Sequence, residues 1–310
     1  MVNRRNETSS EVFVLFTMDC EPARGDVTPH AAKMSASGPA DYEESERAIR
    51  AYCDTTRARG FATTLFVHPE IAVTHRDLLL DLQARGDCLG LHLHPYKFGD
   101  GRYAHDLGAY PASEQREMLC QAIDVWQEAL GQKPLYFRAG YFSANDSTFS
   151  VLQELGFRGG SLSIPGRVLP EHCSVWAGAE LYAHRAHPGF RHLKGSSPFV
   201  EIPVSVDLQR PVQRGAAGEQ GYEWPYVPAR YDHKQVIGNI LERFQSDSAS
   251  YGAIVMDSHN DQDYTDPAHP SSVNLALVLD SIESFCAARG MRPVSATLES
   301  MCDRFLSDKE

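Results

Sequence analysis

Short apolar or β-branched runs recur along the chain, and most are followed by a stretch whose apolar residues fall at helical spacing. The runs are EVFVLFTM (11–18), FATTLFVH (61–68), DCLGLHLH (87–94), PLYFRAG (134–140), FRGGSLSI (157–164), FVEIPVSV (199–206), AIVMD (253–257) and RPVSAT (292–297). Each reads as a strand. Helices are predicted over 41–59, on Ile49, Tyr52, Cys53 and Thr56, over 75–86 with Gly86 as its stop, over 113–130 ending at Gly131, and over 147–156 closed by Gly156. The clearest helix is 272–290, where Leu275, Val278, Leu279, Ile282, Phe285 and Cys286 form one stripe. Strand and helix in alternation mean parallel strands joined by crossovers. The expectation is an α/β fold, a distorted TIM-type barrel of seven or eight units formed by residues 1–310 as one domain. A doubly wound open sheet is the alternative, but no GxGxxG follows a strand.

Two segments break the repeat: 22–40, and 207–232 with RGAAGEQGYEWPYVP. Long loops in compact domains are usually functional or disordered. Tyr222, Trp224 and Tyr226 favour a lid or substrate wall for the second, with Trp224 as a substrate-binding residue.

Composition narrows the partners. Among 310 residues, 42% are hydrophobic and 23% charged, which is ordinary for a globular chain. No run approaches the ~18 apolar residues of a membrane span. The N-terminal apolar run VFVLFTM is short for a signal peptide and has no small-residue cleavage site after it, so a cytoplasmic location is expected. Seven cysteines without a CxxC pair point to reduced thiols. The net charge of −12 repels phosphate backbones, which argues against nucleic acid and for small substrates. Whether the chain forms a homo-oligomer stays open.

In a parallel barrel the chemistry sits at the C-terminal ends of the strands. The first strand ends TMDCEP, so Asp19 and Glu21 share a face and Cys20 turns away. They are a metal ligand and a proton carrier, or else a solvated acidic turn. The third ends in His92 and His94, again on one face; two imidazoles with an oxygen ligand suit Zn²⁺, and a buried hydrogen-bonded pair is the plainer reading. The fourth ends at Arg138, placed to hold Asp19 ionised or to sit in a surface ion pair. A late strand leads to His259 among Asp257, Asp261 and Asp263, a proton donor in one reading and part of a solvated loop in the other.

As a set, these segments resemble the polysaccharide deacetylase family, the NodB homology domain of carbohydrate esterase family four, from about residue 12 to 300. TMDCE stands where that family has Thr-Phe-Asp-Asp-Gly, LGLHLHP where it has its histidine motif, and IVMDSHND where it has the catalytic histidine. FRAGYFSANDSTFSVLQELGF resembles its Arg-x-Pro-Tyr motif and the following helix most specifically. The chain departs by Cys20 in the place of a metal-binding Asp, by histidines two rather than four apart, and by Tyr96 where a histidine is expected. The resemblance implies a metal-dependent amide hydrolase acting on an N-acylated amino sugar or a similar small amine. Glu21, His92 and His94 would hold one divalent ion, Zn²⁺ by donor type. Asp19 would act as base held by Arg138, with a backbone N–H near Tyr141 at the oxyanion and His259 as acid, although which of Asp19 and Glu21 is base stays open. The alternatives are opening of a cyclic amide or ureide, as an allantoinase does, and a sugar-binding barrel without turnover.

Overall fold

Glu11–Cys20 form the first strand, β1, and alternation sorts its side chains. Val12, Val14, Phe16, Met18 and Cys20 join the core beneath the helices, while Phe13 and Leu15 join a second core inside the sheet. Thr17 and Asp19 follow on the inner face. The computed structural model describes residues 11–24, 37–99, 101–214, 218–249 and 251–307.

β2 (Thr63–Val67), β3 (Cys88–Leu93), β4 (Tyr136–Ala139) and β5 (Gly159–Gly160) follow β1 in parallel register, and Val200–Glu201 continues the sheet beside β5. On its other side β1 meets Ala253–Val255, and its first residues also pair with Arg292–Ser295. Past Val200–Glu201 the chain reaches Ser205, whose N–H donates to the Val255 carbonyl at 3.1 Å and whose hydroxyl donates to that of Ala253 at 2.8 Å. The two ends of the sheet therefore meet, and the fold is the expected distorted α/β barrel. Two of its strands are shorter than the runs predicting them, two residues each instead of 157–164 and 199–206.

Helices Tyr42–Ala58, Arg76–Ala84, Ala112–Leu130, Thr148–Glu154 and Pro270–Ala288 fill the predicted positions. Asp41 caps the first by accepting from the Glu44 N–H at 2.7 Å. Gly131 ends the third with φ +73°, a left-handed stop that glycine adopts without strain. In Pro270–Ala288 the predicted stripe is buried except for half-buried Phe285. Helices Pro69–Thr74, His233–Ser246 and Leu298–Ser307 stand outside the predicted set.

Of the predicted loop 22–40, residues 25–36 lie outside the described residues. The described residues of the segment 207–232 hold more regular structure than the loop expected there. Asp207–Arg214 and Glu219–Glu223 form an antiparallel hairpin that pairs onward with Val168–Leu169. Its sequence lacks an apolar/polar alternation, and Pro211 lies within it, which is why the pattern reads as loop. Among the described residues no helix is long and apolar enough to cross a membrane, and the seven cysteines are free.

Candidate active site

Four strand ends converge inside the barrel mouth. Arg138, at the end of β4, is fully buried and lies over the Phe66 ring at 4.2 Å. Its Nη1 donates to Asp19 Oδ1 at 2.9 Å, to Asp257 Oδ1 at 3.0 Å and to Thr17 Oγ1 at 2.9 Å. Nη2 and Nε reach Ser161 Oγ and its carbonyl at 3.0 and 3.2 Å. The expected Asp19–Arg138 contact is present, with Asp257 as a second carboxylate on the same guanidinium. Burial pushes the Asp19 carboxyl up, against the opposing pull of Arg138 and His259. Burial and the charge of Asp19 push Asp257 up to about 6, again against Arg138.

The histidine pair lies beside these carboxylates. His92 Nδ1 donates to the Arg138 carbonyl at 3.1 Å, which leaves Nε2 as a lone pair with no hydrogen-bond partner among the described residues, 3.9 Å from Asp19 Oδ2. The rings of His92 and His94 are 5.0 Å apart. His94 Nε2 is 3.1 Å from Glu21 Oε1, and Tyr96 Oη is 2.9 Å from His94 Nδ1. Burial holds both imidazoles neutral, His94 down to about 3. Glu21 moves the other way: burial opposes its ionisation, but Lys97 and His94 hold its carboxyl well below the usual range. Asn260 clamps the Glu21 backbone, accepting from its N–H and donating to its carbonyl, both at 2.9 Å.

His259 follows β1's neighbour strand and pairs in register with Asp19. Its Nε2 is 3.7 Å from Glu21 Oε1, and its Nδ1 is 3.3 Å from Tyr226 Oη. Burial would lower its pKa, but Asp257, Glu21, Asp19 and Asp261 outweigh burial and raise it. The Cys20 thiol, turned into the core as alternation predicts, is pushed well up by burial and so is no thiolate ligand.

Two groups of donors have the spacing of a metal site. Glu21, His92 and His94 offer atoms within 4.8 Å of one another, and so do Asp19, Asp257 and His259. The orphaned His92 Nε2 suits a ligand. The charge does not. Lys97 Nζ is 2.5 Å from Glu21 Oε2 in the first group, and Arg138 bridges both carboxylates of the second. A divalent ion about 5 Å from a fixed ammonium is repelled by about 7 kcal/mol at an effective dielectric of ~20, which offsets a good part of its attraction to Glu21. The donors therefore fit a divalent ion by position, but the carboxylates such an ion would take are already held by Lys97 and Arg138.

These groups open onto a cavity of about 280 Å³. Asp19, Glu21, His94, Asp257 and His259 line its floor, and Tyr141, Phe142, Trp224 and Tyr226 its walls. Tyr141 has φ +54°, stacks on His172 at 3.8 Å, and accepts from Arg167 Nη1 through its carbonyl at 3.2 Å. Asp19, Glu21, His92, His94, Arg138, Tyr141, Trp224 and His259 thus reach this neighbourhood, whereas Asp263 is exposed and caps the local turn at Thr265. Sequence reasoning missed Lys97 and Arg167 as site residues, named Tyr226 only among the aromatics of a lid or wall, and took Asp257 only as a neighbour of His259. Lys97 carried a signal: it is a lone cation three residues past the histidine pair, in the turn Pro95–Lys97.

Residues 37–160 match the family described as polysaccharide deacetylase. No curated protein sequence matches the chain at a significant level. Among solved structures, the chain is similar to a Mycobacterium smegmatis protein assigned as a polysaccharide deacetylase, with 16% identity, 96% of this chain and 91% of that one covered, and a TM-score of 0.61. It is similar to Puue allantoinase at 15% identity over 96% and 91% of the two chains, with a TM-score of 0.59. A Pseudomonas aeruginosa PAO1 protein assigned as a polysaccharide deacetylase gives 16%, the same coverages and 0.56. Residues 37–160 thus carry the signature described as polysaccharide deacetylase, and the barrel around them has the fold of these solved structures.

Proposed function

We propose that the protein hydrolyses an amide C–N bond in a small N-acylated substrate, releasing an amine and a carboxylic acid. The observation that carries this reading is one cavity floor with two buried carboxylates on Arg138 and, beside them, a histidine whose proton affinity is raised. Asp19, oriented by Arg138, takes a proton from water as the water oxygen attacks the carbonyl carbon. A backbone N–H near Tyr141 receives the developing oxyanion. His259 then gives its proton to the departing nitrogen, without which an amine is a poor leaving group. The family resemblance would add a zinc ion on Glu21, His92 and His94; the charge of Lys97 stands against it, and the acid–base steps stand without it.

The cavity size supports a small soluble substrate. At about 280 Å³ it lies at the lower edge of the ~300–1,000 Å³ usual for small-molecule sites. An N-acetylated amino sugar fits the family signature. A cyclic ureide is the second reading, favoured by the flat walls of Trp224 and Tyr226 and by the likeness in fold to Puue allantoinase.

The test is amine or ring-opening release from a panel of N-acetyl amino sugars, simple N-acyl amines and cyclic ureides, with Asp19→Asn and His259→Ala as controls. Turnover of one class, abolished in Asp19→Asn, supports the reading. Saturable sugar binding without turnover of any class overturns it in favour of a binding barrel.

A further inference from the structure

Lys97 is buried, with 2% of its surface exposed, and lies in the turn that follows the histidine strand. Its ammonium has three protons to place. The acceptors in reach are Glu21 Oε2 at 2.5 Å, Ser37 Oγ at 2.6 Å and the Ser37 carbonyl at 3.2 Å. The Ser37 hydroxyl donates in turn to Glu21 Oε2 at 2.7 Å. Glu21 Oε1 is engaged on its other side by His94 Nε2. Both oxygens of the one carboxylate in the first donor group are therefore already used, one of them by a fixed positive charge. A metal ion joining this group would have to displace the ammonium or His94 from Glu21, or enter beside an uncompensated cation.

We propose that Lys97 is the resident cation of this site, fixed on Glu21 in place of a divalent metal, and that the protein is stable and active without one. Lys97 is a positioning residue: it lies behind Glu21 rather than on the cavity surface, and it keeps that carboxylate charged and oriented toward His94 and His259. The second donor group repeats the arrangement, with the Arg138 guanidinium between Asp19 and Asp257. Counted together, Asp19, Glu21 and Asp257 face Lys97, Arg138 and, when it carries its proton, His259. The cluster reaches charge balance from its own side chains.

The activity part of this proposal rests on the amide-hydrolase reading, whereas the metal-binding part needs no substrate and is tested separately. The full-length protein is purified, analysed for metal, and titrated with ZnCl₂ by calorimetry and by thermal melting. The wild type is expected to contain far less than one metal per chain, to bind no stoichiometric zinc, and to melt at the same temperature with and without it. Lys97→Met strips the counter-ion from Glu21 and is expected to bind one zinc per chain and to melt higher when zinc is present. Lys97→Arg, which keeps a charge there, is expected to remain indifferent to zinc. If Lys97→Met does not fold, Lys97→Gln takes its place, and the wild-type titration decides the metal question alone. A wild type holding one metal per chain, lost together with activity on chelation, overturns the proposal. So does a folded Lys97→Met as indifferent to zinc as the wild type, because the lysine is then not what keeps metal out. Absence of turnover with every substrate, alongside the expected zinc behaviour, would count against the hydrolase reading and leave the cation assignment standing.

Discussion

A methyl group on Gly140 would lie 2.2 Å from His94 Nδ1, so the imidazole rests directly against the glycine backbone at the end of β4. No side chain can be added there unless His94 moves, and His94 is held by both Glu21 and Tyr96. Gly140→Ala is therefore expected to lower kcat/KM about 10²-fold, the scale of loss for a displacement of roughly 1 Å in a catalytic group. Overpacking should cost about 1–3 kcal/mol of stability, within what a folded barrel tolerates. Denaturant melts beside steady-state kinetics separate the two effects. Wild-type kinetics in a folded Gly140→Ala would show that His94 has no part in the site.

The pH profile of kcat/KM, which reports the substrate-free protein, should be bell-shaped, and the two limbs have separate origins. Asp19 and Asp257 share one guanidinium and titrate as a pair, with burial raising both and Asp257 reaching about 6. The base form is lost as pH falls through the raised range of that pair, so the acid limb should lie above the ~4 of a free carboxyl. His259 works as an acid, so activity falls as pH rises through its pKa. Its neighbouring carboxylates put that limb above the ordinary ~6.5. In His259→Ala, kcat should drop by about 10²–10⁴-fold and the alkaline limb should vanish. An alkaline limb that survives in the variant would assign the proton donor elsewhere.

Much of this site was legible because it obeys strand geometry. Asp19 and Glu21, like His92 and His94, are two apart at the end of a run, and period two puts each pair on one side. The convergence of Arg138 and His259 follows from the rule that barrel chemistry gathers where parallel strands end. Lys97 was legible only as a lone cation close after the histidine pair, which by itself reads as surface, and its burial depends on Glu21 and Ser37, 76 and 60 residues away. Helix His233–Ser246 carries a readable stripe in Val236, Ile237, Ile240, Leu241 and Phe244, and lies in a stretch dominated by the loop signals before it. The hairpin strands Asp207–Arg214 and Glu219–Glu223 left no such trace, having no apolar/polar alternation in sequence and being held by pairing with Val168, a contact distant in sequence.

Arg138 should matter as much for stability as for activity. Its guanidinium serves five acceptors, two of them buried carboxylates. Removing one partner from a buried ion pair leaves an uncompensated charge and typically costs about 3–5 kcal/mol. Arg138→Met is expected to lose at least that much at pH 7 in a urea melt and to recover part of it at pH 5, where the raised carboxyls of Asp19 and Asp257 take up protons. Arg138→Lys should rescue little, because an ammonium has three donors and no planar fork. Equal losses at pH 5 and pH 7 would mean that the guanidinium acts by packing on Phe66 rather than by charge.

Trp224 distinguishes binding from chemistry. Its ring closes one wall of the cavity, 5.5 Å from Tyr226, and is 6% exposed. It reaches the site from the end of the hairpin, away from the strand ends that bear Asp19 and His259. A substrate packed against it should lose aromatic contact worth about 0.5–1.5 kcal/mol in Trp224→Ala, a rise in KM of about 2–12-fold, while kcat holds. Because the indole is buried, the same substitution should also lower stability by about 3–5 kcal/mol, so the assay temperature has to lie well below the variant's melt. Trp224→Phe keeps a flat apolar face and should recover most of the KM. A fall in kcat with unchanged KM, not rescued by phenylalanine, would instead place Trp224 behind the orientation of Tyr226 and, through its hydroxyl, of His259.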